Sequence, residues 1–443
     1  MQDHRAAQRW YAQGTALFMA GLVADAIVAY RRAIKLHPGL AEAHFDLGVA
    51  LMHSGQLKQA LSANDQALLR KPNFAEAHLN RGVILGRLSR HEEAITAYDR
   101  GLQLRPNDPK TYYNKGNALA ALGRMSEAAT SFEQAVALDP GDSDHQANLA
   151  TALSEIGQLE KALTVFDKAL SLAPLNPAIH NNKGNTLMRM ERPIEAIAAF
   201  DRAIELQPNL AQAHVGRGGA LFRRGRLDEA IRSLTRGLEL QPGDVDALHD
   251  LAKALAGLGR YGDALQACDQ AIRRKPKDPI LIFDRGHILG YLGRLEDALQ
   301  CFEAVITLRP GDLEAEYNRG NALLGLGRYA EASGAYSRVL EQRPRDHEVY
   351  VNRAVVSMMS GGHLDALRDL DKALEISPDF PQALFNKALV YDRIQDGAQA
   401  LFWLRKAVTA DPSLRSQSLT GLNFRYVRSQ PSYEAEFAAI VGN

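Results

Sequence analysis

Residues 109–142 read PKTYYNKGNALAALGRMSEAATSFEQAVALDPGD, and the proline at residue 140 recurs every 34 residues along the chain. Twelve prolines share this spacing: Pro38, Pro72, Pro106, Pro140, Pro174, Pro208, Pro242, Pro276, Pro310, Pro344, Pro378 and Pro412. A 34-residue period is typical of helix-turn-helix units, which bury their apolar faces only by stacking on one another. The spacing therefore predicts an all-α solenoid, for which recognition of a partner is the expected role.

Each repeat holds two apolar patterns of helical period, helix A and helix B, separated by a turn that contains glycine. Counting from 31 residues before each proline gives twelve complete units: 7–40, 41–74, 75–108, 109–142, 143–176, 177–210, 211–244, 245–278, 279–312, 313–346, 347–380 and 381–414. We number the positions of each unit from its first residue. Residues 1–6 are predicted to be an N-terminal extension, and residues 415–443 a C-terminal cap that contains a helix over 432–441.

Small and bulky residues recur at fixed positions. Position 8 is Gly or Ala and position 20 is Ala in every unit, while position 24 is usually bulky, as at Tyr98 and Phe132. Small residues facing large ones predict close packing of helix A on helix B. With the proline at position 32, this pattern resembles the tetratricopeptide repeat family over about 408 residues. The resemblance implies a right-handed superhelix whose A helices line a concave groove that binds proteins or peptides.

Opposite charges recur one repeat apart. A base at position 7 follows an acid at position 25 of the preceding unit in seven cases: Asp65 with Arg81, Asp99 with Lys115, Asp167 with Lys183, Asp201 with Arg217, Asp269 with Arg285, Glu303 with Arg319, and Asp371 with Lys387. We predict ion pairs between neighbouring repeats, each contributing about 0.2 to 1 kcal/mol if exposed. An alternative interpretation of the bases is a stripe that binds RNA or phosphate.

Amide and carboxylate side chains dominate position 6, and amides also occur at position 9. The predicted peptide-binding residues are Asn80, Asn114, Asn117, Asn148, Asn182, Asn185, Asn318, Asn321, Asn352 and Asn386, and position 6 is acidic at Asp46, Asp250 and Asp284. Asn is a weak helix former, so its recurrence needs a reason. A carboxamide can bracket the backbone of an extended peptide. The alternative is that the amides bond to one another and to water.

This row resembles the asparagine ladder in the repeat domain of O-linked N-acetylglucosamine transferases, which implies that a peptide is held by its backbone. Position 5 lacks the lysine that the carboxylate clamp of chaperone-binding repeats requires, so a chaperone tail is not the expected ligand. Several position 5 residues are aromatic, including Tyr11, Tyr113 and Tyr317. These rings are expected to pack against apolar side chains of a partner.

Two local departures lie near the middle of the chain. Gly216 and Gly219 stand at positions 6 and 9 of one helix, which predicts either a flexing point or neutral drift in a tolerant repeat. A polar cluster on the next A helices contains two His and two Asp, which suit a transition metal, together with a lysine that opposes one. Its members are His249, Asp250, Lys253, Asp284 and His287. We predict no metal site there.

Composition excludes several classes of function. The chain carries 52 Lys and Arg and 52 Asp and Glu residues, so no long-range field favours nucleic acid or an anionic membrane. No apolar run is long enough for a signal peptide or a membrane helix, which predicts a cytoplasmic protein. Cys268 and Cys301 lie in apolar segments and are predicted to be buried thiols. No catalytic or phosphate-binding motif is present, so neither an enzyme nor a cofactor is expected.

The two ends of the array differ. The C-terminal residues expected to dock on the last repeat are Leu419, Leu422, Phe424, Tyr426 and Val427. The first repeat has no evident cap, so Trp10, Tyr11 and Phe18 are expected to be exposed and to allow self-association. The main functional interpretation is a non-catalytic scaffold or adaptor that binds an extended peptide or protein segment. A substrate-recruiting subunit of a separate glycosyltransferase and a nucleic-acid-binding helical repeat remain alternatives.

Overall fold

The computed structural model describes residues 2–419 and 423–442. In these two ranges all regular structure is helical, with 27 helices and no strand. The chain divides into two compact units, Met1–Gly225 and Arg226–Asn443. The all-α class and the tandem helix pairs predicted from the repeat are therefore confirmed.

The first unit contains thirteen described helices, and each of the first twelve packs on the next along the chain. They are α1 Gln2–Met19, α2 Val23–Leu36, α3 Ala41–His53, α4 Leu57–Arg70, α5 Ala75–Arg87, α6 His91–Leu104, α7 Pro109–Ala121, α8 Met125–Leu138, α9 Ser143–Glu155, α10 Leu159–Leu172, α11 Pro177–Arg189, α12 Pro193–Leu206 and α13 Ala211–Arg223. Residues 2–6, expected to precede the first repeat, continue its A helix.

The second unit begins with a B helix and ends in three shorter helices. Its described helices are α14 Leu227–Leu240, α15 Val245–Gly257, α16 Tyr261–Arg274, α17 Pro279–Tyr291, α18 Leu295–Leu308, α19 Leu313–Gly325, α20 Tyr329–Gln342, α21 His347–Met359, α22 His363–Ile376, α23 Pro381–Arg393, α24 Gly397–Ala410, α25 Leu414–Leu419, α26 Arg425–Ser429 and α27 Pro431–Val441. Each helix from α14 to α24 packs on its neighbour.

Contacts between position 8 and position 24 hold helix A against helix B. A Cβ atom added to Gly116 would lie 2.5 Å from the ring of Phe132, and one added to Gly184 would lie 2.7 Å from the ring of Phe200. The alanine at position 20 is at most 1% exposed in every repeat. A larger residue at either position would separate the helices, so the predicted packing of small against large is confirmed.

The seven predicted ion pairs between repeats all form. Six have nitrogen–oxygen distances between 2.5 and 3.4 Å, and Lys387 is in direct contact with Asp371. The position 7 bases are thus neutralised by these acids, which favours a role in the register of neighbouring repeats over an RNA-binding stripe. Arg353, whose preceding repeat has Ser337 in place of an acid, pairs with Asp369 of its own repeat at 2.7 Å.

The C-terminal helices pack on the last repeat through a buried carboxylate. Asp392 accepts backbone hydrogen bonds from Val427 at 2.9 Å and Tyr426 at 3.3 Å. Phe424 and Val427 are fully buried, as expected. Leu419 is 52% exposed, so its predicted docking is wrong. Leu422 lies outside the described residues.

The aromatic side chains of the first helix are half-buried, so the expectation that they are exposed is wrong. The Arg32 guanidinium lies over the Trp10 ring, 4.5 Å from its centre. The Phe18 ring packs edge-on against His53 in the next A helix. These contacts remove the observation on which the predicted self-association rested.

Candidate functional site

In several repeats the position 6 side chain forms a hydrogen bond with the position 5 side chain of the preceding repeat. Four pairs in the described ranges join residues 35 apart: Tyr11 with Asp46 (2.8 Å), Tyr113 with Asn148 (3.0 Å), His249 with Asp284 (2.5 Å), and Tyr317 with Asn352 (2.8 Å). Each bond links two neighbouring A helices. The three tyrosines of position 5, which were expected to contact a partner, thus orient the position 6 residues of the next repeat.

Two places in the row combine a position 9 amide with a position 6 amide of the next repeat. Asn148 Nδ2 donates to Asn117 Oδ1 at 3.1 Å, and Asn352 Nδ2 donates to Asn321 Oδ1 at 3.4 Å. Because the same Nδ2 atoms also donate to a tyrosine hydroxyl, both amide hydrogens are used within the chain. The Oδ1 atoms of Asn148 and Asn352 then remain as acceptors, and the Nδ2 atoms of Asn117 and Asn321 remain as donors.

Other predicted site residues are engaged differently. Asn80 Nδ2 donates to the buried Asn64 at 3.1 Å, and Asn318 Nδ2 donates to the Glu314 carbonyl at 2.8 Å. Asn182 Oδ1 accepts from its neighbour Asn181 at 3.2 Å, which uses its acceptor within the chain. Two further members, Asn114 and Asn386, are half-buried, and Asn185 is exposed. Within each unit the structure thus brings one pair of row members into contact, and the members of the row do not all offer the same groups.

Gly216 interrupts the row for a packing reason. A Cβ atom added there would lie 2.5 Å from the ring of Phe200, which belongs to the preceding B helix and is fully buried. Helix α13, which carries this glycine, is continuous from Ala211 to Arg223. Contact with the Phe200 ring explains the glycine without flexibility or neutral drift. One consequence is that Asn185 has no position 6 amide opposite it.

Two pockets of about 330 Å³ each open beside the row, one in each unit. We call them pocket A, between repeats three and four, and pocket B, between repeats nine and ten. Pocket A is lined by Val83, Gly86, Arg87, His91, Tyr98, Asn114, Asn117 and Ala118. Pocket B is lined by Gly286, His287, Gly290, Tyr291, Leu295, Ala298, Phe302, Asn318, Asn321 and Ala322.

The two pockets share one register within their repeats. Both use positions 9, 12, 13, 17 and 24 of one repeat and positions 6, 9 and 10 of the next. Position 12 is Gly only in these two repeats, at Gly86 and Gly290. A Cβ atom added to Gly290 would meet nothing within 4 Å, and one added to Gly86 would meet only the Tyr98 hydroxyl, at 3.9 Å. The sequence contains this signal, but its meaning depends on the surrounding packing.

Between repeats five and six, side chains occupy the corresponding place. Thr186 Oγ1 donates to Ser154 Oγ at 3.0 Å, and both residues are buried. Arg189 contacts the same serine at 3.4 Å and Glu155 at 3.1 Å. A hydroxyl at position 12 therefore closes the space that a glycine leaves open.

The recurring histidines of position 4 and the two cysteines have structural roles: the histidines form hydrogen bonds to the backbone, and the cysteines are buried. The position 4 residues His44, His78, His180 and His214 each bond to the carbonyl of the proline that ends the preceding repeat, at 2.8 to 3.1 Å. Cys268 and Cys301 are free and buried, as predicted, and burial raises the pKa of Cys268 to about 12. These thiols are therefore protonated at neutral pH and poor nucleophiles.

Asp139, Asp142 and His145 have possible metal-ligating atoms within 4.8 Å of one another. The Asp142 carboxylate already accepts backbone N–H bonds from Asp144 and His145 at the start of α9. The cluster is explained as a helix cap, and we assign no metal to it. Among the described residues, no helix has both the length and the apolar character needed to cross a membrane.

Comparisons with known proteins agree with the repeat. Models described as tetratricopeptide repeat match residues 17–80, 82–155, 181–244, 221–281, 283–347 and 358–414, and a model described as TPR repeat matches residues 150–191. No curated protein matches the chain. The finer resemblance to a transferase repeat domain gains no support from these matches and stays a prediction.

Three solved structures illustrate the likeness. A tetratricopeptide repeat protein from Parabacteroides merdae is 17% identical over 60% of this chain and 99% of its own, with a TM-score of 0.45. The Cut9-Hcn1 hetero-tetramer of the APC/C is 13% identical over 98% of this chain and 96% of that one, with a TM-score of 0.45. YrrB, described as a TPR protein with an unusual peptide-binding site, is 24% identical over 42% of this chain and 95% of its own, with a TM-score of 0.39. The repeat matches between them span almost all of residues 17–414, and on that basis the chain belongs to the tetratricopeptide repeat family.

Proposed function

We propose that this chain is a non-catalytic interaction scaffold that binds an extended peptide or protein segment along the polar row of its A helices. Tetratricopeptide repeat proteins generally mediate protein–protein interactions. The observation that carries the proposal for this chain is the repeated pair of amides, Asn117 with Asn148 and Asn321 with Asn352.

Each pair offers the groups that an extended backbone needs. In the first pair, the exposed Asn117 amide presents N–H donors, and Asn148 Oδ1 presents an acceptor. An extended peptide displays one carbonyl and one N–H per residue, so one pair can satisfy both without reading a side chain. The hydrogen bonds that Asn148 and Asn352 donate to the Tyr113 and Tyr317 hydroxyls hold the amides in place before binding, which lowers the entropy cost of association.

The test is selection of a phage-displayed library of linear random peptides on the full chain, followed by fluorescence anisotropy with the enriched peptides. We compare the wild type with a variant that carries Asn117→Ala, Asn148→Ala, Asn321→Ala and Asn352→Ala. Each lost hydrogen bond weakens binding by about 0.5 to 1.5 kcal/mol, so we expect at least about tenfold weaker binding.

The control is Asn107→Ala, which removes an exposed amide in the loop between α6 and α7, outside the polar row. It should bind the same peptides within about twofold of the wild type. Circular dichroism of each variant reports whether the helices remain intact. Wild-type affinity in the fourfold variant, or failure of the wild type to enrich any peptide, would contradict the proposal.

A further inference from the structure

We propose that the two pockets select different kinds of side chain, each from the segment that is bound beside it. Pocket B takes one uncharged aromatic or long aliphatic side chain, and pocket A takes one acidic side chain. This inference rests on the proposed function and adds side-chain selectivity to a row that otherwise holds only backbone.

The walls of pocket B carry no charged residue. Phe302, Leu295 and Ala298 supply apolar surface, and burial lowers the pKa of His287, which keeps its imidazole neutral at pH 7. At the rim, the Tyr291 ring is 67% exposed and stacks on Tyr261 with 4.9 Å between ring centres. A charged group entering this pocket would lose hydration without a partner, whereas an apolar side chain would gain burial.

Pocket A has the same register but a cationic rim. Position 13 is the exposed Arg87, and position 17 is His91, where pocket B has Tyr291 and Leu295. Within residues 2–419 and 423–442, Arg87 takes part in no ion pair, so its guanidinium is available to a ligand. A guanidinium binds a carboxylate through two parallel hydrogen bonds, which commits this pocket to an acidic side chain.

The size and position of the pockets fit one side chain of a peptide. A volume of about 330 Å³ lies at the lower end of the range for ligand sites. Asn117 lines pocket A and Asn321 lines pocket B, and each belongs to one of the two amide pairs. A backbone held by an amide pair therefore passes beside the pocket, and a neighbouring side chain can enter it.

The first part of the test fills each pocket from its floor. Gly290→Leu and Gly86→Leu place a side chain in space that is open in the structure, and Gly262→Leu adds the same atoms to an open site outside both pockets. Each peptide enriched on the wild type is tested with Ala in place of its apolar or its acidic residues. A peptide is called apolar-dependent or acidic-dependent according to which replacement weakens its binding. Gly290→Leu should weaken the binding of apolar-dependent peptides at least about tenfold. Gly86→Leu should weaken the binding of acidic-dependent peptides. Gly262→Leu should change the binding of neither group.

The second part exchanges the rims. Arg87→Tyr should weaken acidic-dependent peptides by about fivefold, with a smaller loss at high salt, because an exposed charge pair is screened. Tyr291→Arg should shift the peptides selected by pocket B towards acidic residues. Wild-type affinity and selectivity in all four pocket variants would overturn the inference. In that case the variant with Ala at Asn117, Asn148, Asn321 and Asn352 still tests the proposed function, because it reports on backbone binding and not on the pockets.

Discussion

The interface between repeats three and four and the interface between repeats five and six use the same positions, yet one holds a pocket and the other is filled. Repeat three has Gly86 at position 12, and repeat five has Ser154, which accepts a hydrogen bond from Thr186. The contacts that set the spacing of the helices are common to both regions. The residue at position 12 can therefore leave a pocket or fill it without altering the spacing of the helices.

The largest loss of stability is predicted for substitutions at position 8, which sets the spacing of helices A and B in both regions. Gly116→Leu in repeat four and Gly184→Leu in repeat six should each destabilise their own repeat by about 3 kcal/mol or more, because Phe132 and Phe200 occupy the space that Leu needs. Hydrogen-exchange mass spectrometry measures the loss as faster exchange in the repeat that carries the substitution. Gly86→Leu is the control, since it adds the same atoms to open space and should leave exchange unchanged or slower. Equal exchange in the Gly184→Leu and Gly86→Leu proteins would show that position 8 does not set the helix spacing.

Much of the scaffold could be predicted from the sequence because the period makes equivalent residues comparable. Position 8 faces position 24, and Asp99 pairs with Lys115, since both relations repeat in register. Contacts specific to one site could not be predicted in the same way. Gly216 is explained only by the direction of the Phe200 ring, and the amide of Asn148 is oriented by a tyrosine 35 residues away, a spacing that no helical periodicity indicates.

The two pockets likewise could not be predicted from the sequence alone. The sequence contains glycine at position 12 in only two repeats, but a glycine predicts a cavity only when nothing else fills the space. In repeats three and nine an added Cβ atom would lie in the open, whereas at Gly216 it would meet a ring. Whether a glycine leaves a cavity or admits a neighbour depends on side chains from another helix, which one repeat's pattern does not specify.

The filled interface provides the next prediction. Ser154→Gly combined with Thr186→Ala should destabilise repeats five and six by about 1 to 2 kcal/mol, because a buried hydrogen bond is lost and glycine weakens the helix. The reciprocal change, Gly86→Ser, should slow hydrogen exchange slightly in repeat three, since serine favours the helix by a few tenths of a kcal/mol over glycine. Unaltered exchange in both proteins would mean that position 12 does not distinguish the two interfaces energetically.

The ion pairs between repeats predict the smallest effect, and it should be equal in the two regions. Asp99→Asn removes the partner of Lys115 at the open interface, and Asp167→Asn removes the partner of Lys183 at the filled one. Each acid is 46% or more exposed, so each substitution should cost about 0.2 to 1 kcal/mol at low salt and less at high salt, where mobile ions screen the pair. Local hydrogen exchange at two salt concentrations measures both changes. A larger, salt-independent loss for Asp99→Asn than for Asp167→Asn would show that the open interface relies on its ion pair where the filled one relies on packing, and position 12 would then affect stability as well as the pocket.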